Sequence, residues 1–335
     1  MKSTILVTGG AGYIGSHTCK ALAQAGYRPV TLDNLSRGHR WAVKWGPLVE
    51  GDLAHVEVIE RAIRQFKVDA VMHFAGFAHV GESMAEPGKY FRNNAVNSFN
   101  LLEAMQACGV TRIVFSSTCA VYGVPQALPI VEEQPLQPVN PYGESKLCTE
   151  RALHWYGAAH GFNWIALRYF NAAGADLDGE IGEDHHPETH LIPLAILSAL
   201  KEREALDVYG TDYPTPDGTA IRDYIHVTDL AQAHVRALEY LLAGGASLPL
   251  NLGTGQGYSV REVVRAVEDL TGYLVPTRSA LRRPGDPPAL VAAAGRAREV
   301  LGWQPRHSDL QTIVDTAWAW HSARSAPVLR AVAVG

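Results

Sequence analysis

A tyrosine and a lysine four residues apart carry the most specific chemistry in this chain. Tyr142 and Lys146 stand in the run Pro141-Tyr142-Gly143-Glu144-Ser145-Lys146. On a helix, positions i and i+4 share one face, so phenol and ammonium can address the same spot. A free phenol titrates near ~10, so a tyrosine working as a base near neutral pH needs its ionised form stabilised by about 4 kcal/mol. Neighbouring positive charge does this by favouring phenolate. Ser116-Ser117-Thr118 ends an apolar run, at the carboxyl edge where open α/β sheets bind ligands. Thr118 in that place hydrogen-bonds the hydroxyl that Tyr142 deprotonates, and positions or relays its proton. Thr118, Tyr142 and Lys146 are therefore the candidate catalytic residues of a hydride-transfer site.

A hydride needs an acceptor, and a second motif points to one. In Thr8-Gly9-Gly10-Ala11-Gly12-Tyr13-Ile14-Gly15, the residues Gly9, Gly12 and Gly15 have G-x-x-G-x-x-G spacing between a strand-like and a helix-like run. Such glycines permit a tight turn, let backbone approach a pyrophosphate, and allow close helix–strand packing; the helix N-terminus then faces the phosphates. Asp33, with Asn34 after it, closes the second strand 18 residues beyond Gly15. A carboxylate there accepts hydrogen bonds from adenosine ribose hydroxyls and repels a 2′-phosphate, so the expected cofactor is NAD and not NADP. Arg37, in the loop beyond, is expected to face solvent. Asp52-Leu53 ends the third strand, where Asp52 meets an adenine edge or merely caps the strand. Phe74-Ala75-Gly76 ends the fourth with small residues that let backbone pass close to the cofactor. Lys146 and a positive nicotinamide ring together would favour the Tyr142 phenolate.

These residues require a particular scaffold. Ile5–Thr8, Pro29–Asp33, Leu48–Glu50, Ala70–Phe74, Ile113–Ser116 and Ile165–Tyr169 read as strands. Tyr13–Ala25, Val56–Phe66, Tyr90–Ala107 and Tyr142–His160 carry apolar residues at helical spacing between them. That alternation predicts an α/β fold: a doubly wound parallel sheet of Rossmann type with helices on both faces. Beyond Phe170 the rhythm changes. Asn171–Thr189 reads as a long loop, followed by a helix near Ile192–Glu202, a Pro/Gly loop at Tyr213–Gly218, and the segment Arg222–Val227. A helix over Thr228–Leu242 has Thr228 as its expected N-cap and Asp229 in its first turn. A glycine turn at Asn251–Gly257 precedes a further helix capped by Ser259. The expected division is a cofactor domain of residues 1–170 plus about 221–250, interleaved with a smaller α/β substrate lobe of 171–220 plus 251–335. Ser325–Gly335 carries no pattern and is expected to fray.

Composition narrows the partners. Of 335 residues, 47% are apolar and 19% charged, with net charge −5 and no Lys/Arg block. A nucleic-acid groove is excluded on that balance, while a small anionic ligand needs only a few placed arginines. Cys19, Cys108, Cys119 and Cys148 lie far apart with no CxxC pair; they read as reduced cytoplasmic thiols, not a disulfide frame or zinc site. Cys119 reads as a packed small residue. The apolar N-terminal run is too short for a signal segment or membrane span. His73 and His226 are expected to satisfy local hydrogen bonds. His186 and His190 have helical ligand spacing in Asp184-His185-His186-Pro187-Glu188-Thr189-His190, but Pro187 lies between them, and no metal is expected.

Over about residues 3–323 the chain resembles the extended short-chain dehydrogenase/reductase family. The resemblance is carried by TGGAGYIGSH at 8–17, LDNLSRG at 32–38, HFAG at 73–76, VGES at 80–83, FSST at 115–118, VYG at 121–123 and PYGESK at 141–146. It continues through RYFNAAGA at 168–175, ETHLIP at 188–193, YPTPDGTAIRDYIHV at 213–227, NLGTG at 251–255 and RRPGD at 282–286. Within that family it is most similar to the enzymes that invert C4 of UDP-galactose and UDP-glucose. The resemblance implies that Tyr142 takes the sugar 4-OH proton while hydride passes from C4 to tightly held NAD. The 4-keto sugar then turns and recovers hydride on its other face. It implies Lys146 as electrostatic partner and ribose ligand, Thr118 in the place of the family's serine or threonine, and Asn93, Ser116 and Tyr169 beside the cofactor. On the UDP-sugar side it implies Asn171 at the diphosphate, His190-Leu191 and Asp207–Tyr209 around uracil with Tyr209 stacking, Arg222 and Arg283 as diphosphate clamps, and Asp286 at the uridine ribose. Arg282 reads as a solvated neighbour. A homodimer through the helices near 90–107 and 142–160 is implied by the resemblance alone.

Two positions depart from the pattern. Ala78 replaces a lysine that reaches the cofactor phosphates in many relatives. Leu290 replaces a bulky tyrosine beside sugar C2, which leaves room for N-acetylhexosamines. Cys119-Ala120 after Thr118 offer no acid for the C5 or C6 chemistry of dehydratases and decarboxylases, which favours epimerisation. A net oxidoreductase is a second alternative. An NAD-sensing binding protein is a third, and the intact Tyr142/Lys146 pair speaks against it.

Overall fold

The computed structural model describes residues 3–283 and 286–332. Its first half alternates β1 (Thr4–Thr8), α1 (Tyr13–Gln24), β2 (Arg28–Asp33), β3 (Leu48–Glu50), α2 (Val56–Phe66), β4 (Ala70–His73), α3 (Val80–Ala85), α4 (Pro87–Tyr90), α5 (Asn97–Ala107), β5 (Arg112–Ser116), α6 (Pro141–His160) and β6 (Asn163–Tyr169). The second half holds β7 (Asn171–Ala173), α7 (Leu191–Ala199), β8 (Leu206–Tyr209), β9 (Ile221–Arg222), β10 (Tyr224–His226), α8 (Val227–Leu242), β11 (Leu248–Leu252), β12 (Tyr258–Ser259), α9 (Val260–Thr271), β13 (Thr277–Ala280), β14 (Ala289–Leu290), α10 (Gly295–Leu301) and α11 (Leu310–Val332).

Seven strands form one parallel sheet in the order β3-β2-β1-β4-β5-β6-β11. Chain order runs outward in both directions from the β1/β4 junction, so a crevice opens there at the strands' carboxyl ends. The strands read as near-continuous apolar runs because both faces are covered. Ile5, Val7, Met72, Val114 and Ile165 pack with Leu22, Leu230 and Leu238 of α1 and α8 on one side. Leu6, Val71, Ile113, Phe115 and Ala166 pack with Ile59, Leu102 and Leu153 of α2, α5 and α6 on the other. A separate core joins α7, α9 and α11 through Ile192, Ile196, Val263, Val267, Ile313 and Val314. Short pairs β7–β10 and β8–β13 and the three-stranded β12-β9-β14 complete this smaller region. The doubly wound α/β expectation is met strand for strand in the first half.

Local expectations fail where long-range pairing decides. Asn171–Thr189 is not wholly loop: 171–173 forms β7, because its backbone pairs in parallel with Tyr224–His226 some fifty residues away. The helix expected over 90–107 contains a π-type turn at Phe91–Val96, which widens its hydrogen-bond spacing from i+4 to i+5. Thr228 is not the cap of α8. His226 is, its Nδ1 accepting from the Thr228 N–H at 3.1 Å. Ser259 does cap α9, in a reciprocal box with Glu262. The tail expected to fray is helical to Val332, and 333–335 lie outside the described residues.

Four buried histidines make stability depend on pH. Desolvation pushes His73 down to about 3 and His17, His226 and His234 down to about 4. Their folded values lie below the unfolded ~6.5, so below that pH the unfolded chain binds more protons and stability falls. Each group then costs about 1.4 kcal/mol per pH unit until pH passes its folded value. The urea midpoint is expected to drop between pH 7 and pH 5. His234→Gln, which cannot titrate, should show a smaller drop than wild type; an equal drop would contradict the assignment.

Candidate functional site

A cleft of about 1040 Å³ opens at the β1/β4 junction and runs into the smaller region. Every residue that the sequence marked as catalytic, cofactor-facing or substrate-facing lines it, from Gly9 to Leu290.

Its chemical centre lies between β5 and α6. Asn140 caps α6, its side chain accepting from the Gly143 N–H at 2.8 Å, and Pro141 occupies the first turn, where its missing donor costs nothing. A Cβ on Gly143 would lie 2.6 Å from the Ala120 carbonyl oxygen, so only glycine lets the helix start so close to the turn after Thr118. Thr118 Oγ1 caps that turn at the Ala120 N–H (3.2 Å). Tyr142 is buried, and burial, followed by the nearby Tyr169, raises its pKa well above the ordinary tyrosine value, while Thr118 pulls it down. The phenol is therefore protonated at neutral pH, and positive charge beside it is what would ionise it. Lys146 donates to the Ser116 carbonyl at 3.0 Å, and burial pushes its ammonium down to about 8 against the opposing Glu150. Tyr169 bonds Ser116 Oγ through its hydroxyl at 2.8 Å.

Under this centre lies a buried polar network that sequence reading missed. Ser117 Oγ donates to Glu150 at 2.5 Å, and Arg168 binds the same carboxylate bidentately, Nε to Oε1 at 3.0 Å and Nη2 to Oε2 at 2.6 Å. Arg168 Nη1 reaches the Tyr122 hydroxyl at 2.9 Å, which donates to Asn251 Oδ1 at 2.7 Å. The available signal was Glu150 itself, a charge one helical turn past Lys146 on the face that Tyr142 and Lys146 share. Asn94 was missed as well. Asn93 lines the cleft, but Asn94 is the residue that pins the loop after β4, bonding Phe77 N at 2.8 Å, Phe77 O at 2.9 Å and Ser145 Oγ at 3.1 Å. The π turn shifts the helix face, so regular spacing could not choose between the two asparagines.

At the glycine turn, a Cβ on Gly15 would stand 2.2 Å from the Gly9 carbonyl oxygen. Asp33 is buried and accepts from Ala11 N at 3.0 Å and Leu35 N at 2.8 Å, bracing the turn as well as facing the cleft. Asp52 caps Ala54 N at 2.8 Å and accepts from Asn34 Nδ2 at 2.7 Å, so capping is among its roles. Arg37 does not simply face solvent: it lines the cleft and donates to the His186 carbonyl at 2.8 Å. Tyr13 donates to Gly174 O at 2.5 Å, tying the turn to the segment after β7.

At the far end, Arg222 pairs with Asp286, and the Arg283 guanidinium lies 4.0 Å from the Tyr209 ring centroid. Asp207 is held by Arg203 at 2.9 Å and Arg278 at 3.0 Å. Arg282 pairs with Asp212 on the surface at 2.7 Å. His190 Nδ1 lies 2.7 Å from Glu183 and 3.0 Å from Glu188, and these carboxylates hold its imidazolium well above the ordinary histidine pKa against desolvation. Cys119 is buried, and burial pushes its thiol up to about 12, so it is no nucleophile. Among the described residues no helix is long and apolar enough to cross a membrane.

Three comparisons bear on this arrangement. The family model described as NAD dependent epimerase/dehydratase family matches residues 5–253. The chain is 54% identical to the UDP-glucose 4-epimerase of Azospirillum brasilense over 332 residues, covering 99% of this chain and 95% of the relative. The UDP-glucose 4-epimerase of Brucella ovis, solved in complex with NAD, superposes with a TM-score of 0.93 at 52% identity, covering 95% of this chain and 98% of that one. The enzyme of the same name from Stenotrophomonas maltophila, solved with NAD and formylated UDP-arabinopyranose, gives a TM-score of 0.94 at 40% identity, with 97% and 100% covered.

The network under the centre yields a test. Glu150→Ala leaves Arg168 buried without its partner, a loss of about 3–5 kcal/mol. Chemical denaturation should show that loss, and Glu150→Gln, which keeps a hydrogen-bond acceptor, should recover part of it. A Glu150→Ala variant as stable as wild type would refute the network's structural role.

Proposed function

The chain belongs to the NAD dependent epimerase/dehydratase family, and on that footing we propose that it interconverts UDP-galactose and UDP-glucose by inverting the sugar C4. The observation that carries this reading is the convergence of Thr118, Tyr142 and Lys146 with the glycine cradle in one cleft that ends in paired arginines and aromatic rings. The cradle suits NAD: the space a Gly15 side chain would fill is closed by backbone, and Asp33 presents a buried carboxylate at the end of β2. NAD accepts a hydride from the sugar carbon and returns it, so no external oxidant is consumed.

The residues of the chain divide the remaining work. Tyr142 takes the 4-OH proton and later gives it back, general acid–base work of roughly 10²–10⁴-fold. Thr118 holds that hydroxyl in line with the phenol. Lys146, its ammonium buried beside Ser116, supplies positive charge that favours phenolate and a donor for the cofactor ribose. Arg222 and Arg283 meet the diphosphate, a task suited to fork-shaped guanidinium groups, with Asn171 beside them. Asp286, paired with Arg222 at this end of the cleft, meets the uridine ribose. His190, Leu191, Asp207 and Tyr209 border the uracil. Beside Thr118 the chain offers Cys119 and Ala120 and no carboxylate, which argues against elimination at C5 or C6. We assign residues 1–170 with about 221–250 to NAD and 171–220 with 251–335 to the UDP-sugar.

We further propose a homodimer through α5 and α6, on which Val96, just before α5, and Trp155 are 48% and 68% exposed. The four free cysteines suit a reducing cytoplasm.

Incubation with UDP-galactose is expected to give UDP-glucose without net NADH, as read by product chromatography and absorbance. Stoichiometric NADH would instead support a net oxidoreductase. Tyr142→Phe should lower kcat at least a hundredfold while NAD stays bound; unchanged turnover would remove Tyr142 as the base. Leu290 lines the cleft where a larger side chain would crowd sugar C2, so UDP-N-acetylglucosamine should also be turned over. No turnover at saturating concentration would end that part of the reading.

A further inference from the structure

The loop before α7 carries a donor set of which the reading above uses His190 alone, at the uracil. Glu183, His185, Glu188 and His190 lie within eight residues, as two Glu-x-His pairs separated by two residues. One ligand atom from each falls within 4.8 Å of all the others. His190 Nδ1 stands 2.7 Å from Glu183 Oε1 and 3.0 Å from Glu188 Oε1; His185 Nδ1 stands 3.1 Å from Glu183 Oε1 and 3.8 Å from Glu188 Oε2. Tetrahedral bonds of about 2.0–2.1 Å place neighbouring donors roughly 3.3–3.4 Å apart, so these separations need shifts of less than an ångström to fit around one ion.

A second observation points the same way. His185 Nδ1 is buried and has no hydrogen-bond partner, despite its nearness to Glu183. Its ring nitrogen faces both carboxylates at ion-pair distance without hydrogen-bond alignment, a placement that an ion between them would use. The charges agree: two carboxylates, one of them buried, face two imidazoles in a loop whose backbone is already fixed. The Glu183 carbonyl accepts from Trp320 Nε1 at 2.9 Å, and Asp184 holds Arg324. The sequence pairing of His186 with His190 had argued against a metal. In the structure His186 is turned outward, 85% exposed, and His185 takes its place.

We propose that Glu183, His185, Glu188 and His190 bind one divalent transition-metal ion, with zinc the best match to a set of two imidazoles and two carboxylates. The ion takes the place of the shared protons, clamping the loop between α7 and the glycine turn, where the His185 ring already meets Tyr13 edge-on at 6.3 Å. Its role is to fix the wall of the cleft; it performs no step of the sugar chemistry. The proposal shares His190 with the uracil wall of the epimerase reading, but metal content is measured without substrate, so either can fail without the other.

The test uses the full chain, treated with chelator, loaded with zinc, and passed through a desalting column. About one zinc per chain by mass spectrometry is expected, with a rise in Tm on the order of 5 °C at a hundredfold excess over Kd. His185→Ala and Glu183→Gln should lose both effects, while His186→Ala keeps them. Circular dichroism identifies any variant that fails to fold, in which case the other variant decides. Less than about a tenth of an equivalent bound, or retention undiminished in folded His185→Ala, overturns the proposal. Cobalt loading is a further check: an intense tetrahedral visible band supports the site, and a weak octahedral spectrum overturns it whatever the variants do.

Discussion

One buried carboxylate joins the three elements on which the chemistry depends. Glu150 projects from α6, takes the hydroxyl of Ser117 at the end of β5, and is clamped by Arg168 of β6. Thr118 is the next residue after Ser117, and Tyr142 and Lys146 lie two turns and one turn before Glu150. The relative position of hydroxyl, phenol and ammonium is thus set by a pair that touches none of them. Such a pair is poor evidence of net stability, since replacing both partners with packed apolar groups is often neutral. Its value here is geometric: the bidentate fork allows one arrangement of strand and helix.

The electrostatics of the site follow from burial. The same desolvation that raises Tyr142 lowers Lys146 to about 8. At neutral pH the phenol is held protonated, while the ammonium stays largely charged. A tyrosine held protonated by its surroundings ionises only when positive charge lies beside it, so the proposed role of Tyr142 as base would depend on the cofactor. The cofactor cradle and the substrate region are themselves linked. Tyr13 reaches Gly174, and Lys20 on α1 is buried against Asp176 at 2.8 Å, with Asp178 and Glu180 closing around it. These contacts join the two walls of the cleft directly.

Much of the site was legible because its parts are local. A glycine triplet between strand and helix, an acid closing β2, and Tyr142/Lys146 at helical spacing are each complete within a few residues. Their geometry follows from standard turn and helix dimensions. What escaped reading was made by partners distant in sequence. Glu150 and Arg168 are ordinary charges until packing brings them together. Asn94 outranks Asn93 in bracing the loop only because a π turn rotates the face of the helix. The Asn171 segment becomes a strand only when Tyr224–His226 lies beside it.

By itself, then, the sequence of this protein determined the doubly wound fold, the glycine turn with its acid, and the tyrosine–lysine pair proposed for the chemistry. Periodicity and short motifs are properties of contiguous residues, and they survive without knowledge of the rest of the chain. Only the tertiary structure decided which polar groups share a buried carboxylate, and that His185 rather than His186 turns inward beside His190. Those choices depend on which side chains escape water together, and burial is settled by the whole fold at once.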